Sequence, residues 1–130
     1  GNIALELGKS DKALKMFEDA LKLTEKLEYQ AEKAFILNNL GTYYFNKTKY
    51  NKAIDLFKKA LNIASEYDNQ KLKVTILGNI GTIYFKKGKS KVALNSFEEA
   101  LQILNNLGLG TSNEATQFRD NIQFVKNHMK

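Results

Sequence analysis

The chain has 130 residues, the length of one domain, with 43% apolar and 26% charged side chains and a net charge of +6. It has no cysteine, which excludes a disulfide framework and a thiolate metal site, and no proline, so nothing breaks a helix. No apolar run approaches the about 18 residues that a membrane span needs, so no membrane partner is expected.

The positive charge is uneven: −1 over residues 1–40, +4 over 41–80 and +3 over 81–130. It comes almost wholly from lysine, with Arg119 the single arginine. Two-pronged phosphate contacts favour arginine, so nucleic acid is not the expected partner.

The chain repeats at a period of forty residues. Gly1, Gly41 and Gly81 are in register, as are Ala13, Ala53 and Ala93, then Phe17, Phe57 and Phe97, then Ala20, Ala60 and Ala100, then Leu21, Leu61 and Leu101. A period in this range marks stacked supersecondary units, none of which buries its apolar face alone.

Within each period the apolar spacing is helical. Residues 1–30 read as a partial repeat, with a glycine turn at Gly8 and a helix striped by Ala13, Phe17, Ala20 and Leu21. Gly1 aligns with a mid-helix glycine, so this repeat starts part-way along its first helix. The chain is therefore expected to be a fragment of a longer repeat protein.

In residues 31–70, Leu37, Leu40 and Tyr44 stripe a helix from about Ala31 to Lys47. Lys47-Thr48-Lys49 breaks it, and Ala53, Phe57, Ala60 and Leu61 stripe a second helix from about Tyr50 to Tyr67. Residues 71–107 copy the pattern with Leu77, Ile80 and Tyr84, then Lys87-Gly88-Lys89, then Ala93, Phe97, Ala100 and Leu101. Gly88 suits a left-handed turn, and Thr48 in its place predicts a less relaxed one. Gly41 and Gly81 fall inside helices, where glycine costs about 1 kcal/mol against alanine, so two helices are expected to approach closely there.

Gly108-Leu109-Gly110 ends the last of these helices. Thr111 with Glu114 reads as a capping box, and Phe118, Ile122, Val125 and Met129 stripe an amphipathic helix over 111–130 that closes the end of the stack.

Leu40-Gly41 with Tyr44, followed by Ala53, Phe57 and Ala60, resembles the tetratricopeptide repeat, as does Ile80-Gly81 with Tyr84, Ala93, Phe97 and Ala100. The likeness covers about residues 1–107. It lacks the usual closing proline, and its period is longer than the family's about 34 residues. It is similar to the long-repeat subtype of the Pins/LGN polarity adaptors and of many prokaryotic scaffolds and sensors. The resemblance implies an all-α fold: a single domain built as a right-handed open array of antiparallel helix hairpins, an α-solenoid, with a C-terminal capping helix.

The resemblance also implies that first helices line a concave face. The residues expected there are Phe35, Asn38, Asn39, Thr42, Phe45 and Asn46 from one repeat, and Thr75, Asn79, Thr82, Phe85 and Lys86 from the next. Asn39 and Asn79 share one repeat position. An asparagine amide both donates and accepts, so a row of them can hold an extended peptide by its backbone. Leu5, Phe45 and Phe85 form a parallel apolar stripe, which is either a groove floor or packing between repeats. The two-lysine clamp for an acidic C-terminus would need lysine at Asn38 and Gly78, and neither is lysine.

Catalysis has little to draw on. His128 is the single histidine and lies near the end of a helix, and Gly108-Leu109-Gly110 follows no strand. No catalytic residue, cofactor or metal is expected, and the chain reads as no enzyme. The expected function is a protein–protein interaction scaffold that binds a peptide or protein segment, in the cytoplasm. A peptide-sensing domain of a larger regulator, and self-association through the truncated first repeat, are the alternatives.

Overall fold

The computed structural model describes residues 10–27 and 30–129. Gly1, Leu5 and Gly8, and with them the expected partial first helix, lie outside the described residues. Six helices are described: α1 Ser10–Leu27, α2 Gln30–Asn46, α3 Tyr50–Glu66, α4 Gln70–Lys86, α5 Ser90–Asn106 and α6 Asn113–His128. No strand occurs among the described residues. The chain divides into two compact units, Gly1–Asp68 and Asn69–Lys130.

In the first unit α1 packs on α2, and α2 on α3. Leu37, Leu40, Tyr43 and Tyr44 of α2 are buried, together with Ala53, Ile54, Phe57, Ala60 and Ala64 of α3. Phe57 is wholly buried, a gain of about 2–3 kcal/mol over leaving the ring in water. Its seat is made by what Gly41 lacks. A β-carbon on Gly41 would lie 2.7 Å from Cε1 of Phe57. The ring of Tyr43 meets Tyr44 edge-on at 5.1 Å.

The second unit repeats the device and adds a helix. α4 packs on α5, and α5 on α6. A β-carbon on Gly81 would lie 2.7 Å from Cε1 of Phe97. The close helix–helix approach expected at Gly41 and Gly81 is thus present, with one phenylalanine filling each gap. Val74, Ile76, Leu77, Ile80 and Ile83 form the buried side of α4. α6 contributes Ala115, Phe118, Ile122 and Val125 to the core. Met129 was expected in that stripe but is 48% exposed, one residue beyond the end of α6.

Four joints between helices each hold one residue in the left-handed region. Thr48, Asp68, Gly88 and Gly108 all have positive φ, at 59°, 55°, 79° and 77°. At three of these joints the same pair of bonds closes the outgoing helix. Thr48 N donates to the Phe45 carbonyl and Lys49 N to the Tyr44 carbonyl, at 2.9 Å each. Gly88 with Lys89, and Gly108 with Leu109, copy this on α4 and α5. The turn at Thr48 therefore holds a β-branched residue in the left-handed region, as its replacement of glycine predicts.

The start of α6 departs from the expected capping box. The N-cap is Ser112, not Thr111. Its backbone is extended, its hydroxyl accepts from Ala115 N at 3.2 Å, and it donates to the Leu109 carbonyl at 2.7 Å. With Ser112 as cap, the third helical residue is Ala115 and Glu114 is the second, so the reciprocal carboxylate bond of a capping box has no partner in position.

Candidate functional site

Thr75, Asn79, Thr82 and Lys86 lie at i, i+4, i+7 and i+11 of α4, along one stripe of the helix. The threonine hydroxyls turn inward on their own helix: Thr82 donates to the Gly78 carbonyl at 2.9 Å and Thr75 to the Lys71 carbonyl at 3.3 Å. Facing this stripe is a second one on α6, made by Glu114, Gln117, Asn121 and Phe124. Between the two walls run adjoining hollows of about 300 and 460 Å³ that share Thr82, Phe97 and Asn121.

The floor is aromatic. Phe97 and Phe118 lie under the groove with ring centroids 6.2 Å apart. Gly78 lets Phe118 come close, since a β-carbon there would meet its Cζ at 3.2 Å. One end of the groove is aromatic as well. Phe85 meets Phe124 edge-on at 5.5 Å and His128 at 5.5 Å, and the His128 ring lies 4.2 Å from Phe124. Nδ1 of His128 donates to the Phe124 carbonyl at 2.9 Å. The histidine is thus a packing partner of the groove's edge.

The sequence model of the tetratricopeptide repeat matches residues 1–66 and, in an overlapping copy, 32–106. The chain belongs to the tetratricopeptide repeat family. Proteins of this family in general mediate protein–protein interaction and are non-catalytic scaffolds. Among solved structures the fold is similar to BtubC (BKLC) from P. vanneervenii, with a TM-score of 0.73 and 21% identity over 98% of this chain. It is also similar to the N-terminal domain of stress-induced protein-1 (STI-1) from C. elegans, with a TM-score of 0.74 and 17% identity over 97% of this chain and 88% of that one. The chain spans 61% of the length of the BtubC chain. No curated protein matches it.

Five of the residues expected on the concave face of this tetratricopeptide repeat chain, Thr75, Asn79, Thr82, Phe85 and Lys86, line that one continuous groove. The other six lie on α2. Phe35 is 57% exposed, Asn46 is exposed, and Asn39, Thr42 and Phe45 are half-buried. Thr42 donates to the Asn38 carbonyl at 3.1 Å. Phe45 packs on Tyr50 at 5.7 Å.

Asn38 is only 6% exposed and already engaged within the protein, and no buried side-chain polar atom among the described residues lacks a partner. Its amide therefore sits in the core rather than on the open face with Asn39. The reason is its place beside Leu37, one step nearer the buried stripe than Asn39.

Of the lysines around the first turn, Lys52 lies 4.4 Å over the Tyr44 ring and Lys47 lies 5.9 Å over Tyr43. The wall contributed by α6 was not among the expected site residues. A signal for it exists: Gln117, Asn121 and Phe124 each stand one position before a buried residue, and so flank the apolar stripe by about 100°. Among the described residues, no group of three or more His, Cys, Asp or Glu could hold a metal, and no helix is long and apolar enough to cross a membrane.

Proposed function

We propose that this chain is a peptide- or protein-binding module, and that it holds an extended segment of its partner in the groove between α4 and α6. The observation that carries this is the lining of one groove by Thr75, Asn79, Thr82, Phe85 and Lys86, opposite Gln117, Asn121 and Phe124. Amides from both walls, Asn79 and Asn121, can serve a backbone that lies between them, and the aromatic end can take one apolar side chain. Exposed Phe35, with Asn39, Thr42 and Phe45, gives α2 a similar mixture for the same kind of ligand. The role is scaffolding without catalysis, and the absence of cysteine fits a reducing cytoplasm.

The test is affinity enrichment with the wild-type chain against Asn39→Ala, Asn79→Ala and Asn121→Ala. The partner's affinity should fall about two- to tenfold for each groove asparagine, the worth of one hydrogen bond. Equal retention by folded Asn79→Ala and Asn121→Ala variants would move the binding surface off this groove.

A further inference from the structure

We infer that the segment taken by this groove is dipolar: an apolar side chain beside a carboxylate at one end, and a cationic side chain about four residues away. The inference rests on the peptide-capture reading above and adds the chemistry of what is captured.

The groove is divided by charge and polarity along its length. In the larger hollow Phe85, Phe97, Phe124 and Val125 supply the apolar surface, and the charged residue lining it is Lys86. In the smaller hollow the walls carry Thr75, Asn79, Gln117 and Asn121, and the charged residue is Glu114. The N-terminal halves of α4 and α6 line one hollow and their C-terminal halves the other, so Glu114 and Lys86 stand at opposite ends. Both side chains are exposed, so their charged groups stay hydrated and steer rather than bury a partner's charge. Each sits where it complements its own helix dipole, but a whole charge outweighs the half-charge of a helix end, and both fall on the groove side.

From Thr75 to Lys86 the helix rises about 16 Å, which an extended chain covers in about five residues. A segment with its carboxylate at Lys86 therefore brings its fourth or fifth neighbour to Glu114. The reversed segment would set its acid beside Glu114 and its base beside Lys86, so the two charges also select direction.

The test is selection of phage-displayed random heptapeptides on the whole chain and on its Lys86→Glu and Glu114→Gln variants, each checked for helicity by circular dichroism. The wild-type chain should enrich an apolar–acidic pair with Lys or Arg about four residues off. Lys86→Glu should replace the acid by a base, and Glu114→Gln should erase only the distant basic preference. A synthetic peptide of the wild-type consensus should lose about two- to fivefold in affinity on Glu114→Gln, the range of one exposed ion pair, and more on Lys86→Glu, which adds a repulsion. Enriched peptides without these charges, or with charges indifferent to Lys86→Glu, would overturn the inference and leave peptide capture standing. No enrichment on the folded wild-type chain would overturn peptide capture itself, and this inference with it.

Discussion

A β-carbon on Gly81 has nowhere to go, because Cε1, Cδ1 and Cζ of Phe97 stand within 3 Å of where it would be. Phe97 is a buried ring, so the clash cannot be relieved by swinging a flexible chain end. Gly81→Ala gains about 1 kcal/mol in helix propensity against about 1–3 kcal/mol of overpacking. The expected net is a loss of up to about 2 kcal/mol, read as a lower urea midpoint with the slope unchanged. Thr48 poses the opposite case. At φ 59° it is a β-branched residue in the left-handed region, and its hydroxyl donates there to the Lys47 carbonyl. Thr48→Gly should therefore stabilise by about 0.5–1 kcal/mol, after the entropy that glycine adds to the unfolded chain. A fall in melting temperature would show that the threonine is held there by something other than the turn.

Among the elements, α6 separates what a sequence discloses from what it hides. Its buried face was legible because Phe118, Ile122 and Val125 keep helical spacing. Its cap was misplaced by one residue, because Thr111 and Ser112 are both good capping residues and only the backbone decides between them. Ser112→Ala should cost about 1 kcal/mol, and Thr111→Ala only a few tenths, so paired melting curves distinguish the two. The helix joints show the same limit. Gly88 and Gly108 announce positive φ, whereas Asp68 does the same work unannounced. The groove was half legible: the α4 wall follows from the repeat, but the α6 wall belongs to a pair of helices, and periodicity within one helix marks what is buried rather than what stands beside it.

For the whole molecule, the excess of positive charge bears on how partners arrive rather than on how firmly they stay. A chain of net +6 should attract an acidic segment from a distance, and salt screens that attraction while leaving contacts in the groove largely intact. Association of an acidic peptide, followed by stopped-flow fluorescence, should slow as salt rises, with dissociation changing little. A dissociation rate that carries the salt dependence would indicate that ion pairs, not the aromatic end of the groove, hold the ligand.

The joint at Lys49 has a consequence for how such a chain is copied. One residue serves two helices: the N–H of Lys49 closes α2 on the Tyr44 carbonyl, while its carbonyl accepts the first bond of α3 from Ala53 N at 3.0 Å. Lys89 does the same between α4 and α5. Inserting or deleting a single residue there would leave one helix open or the next unstarted. Gene duplication can then multiply this unit only in whole lengths, with the joint carried along unaltered. The forty residues from Ala53 to Ala93 are one such whole length.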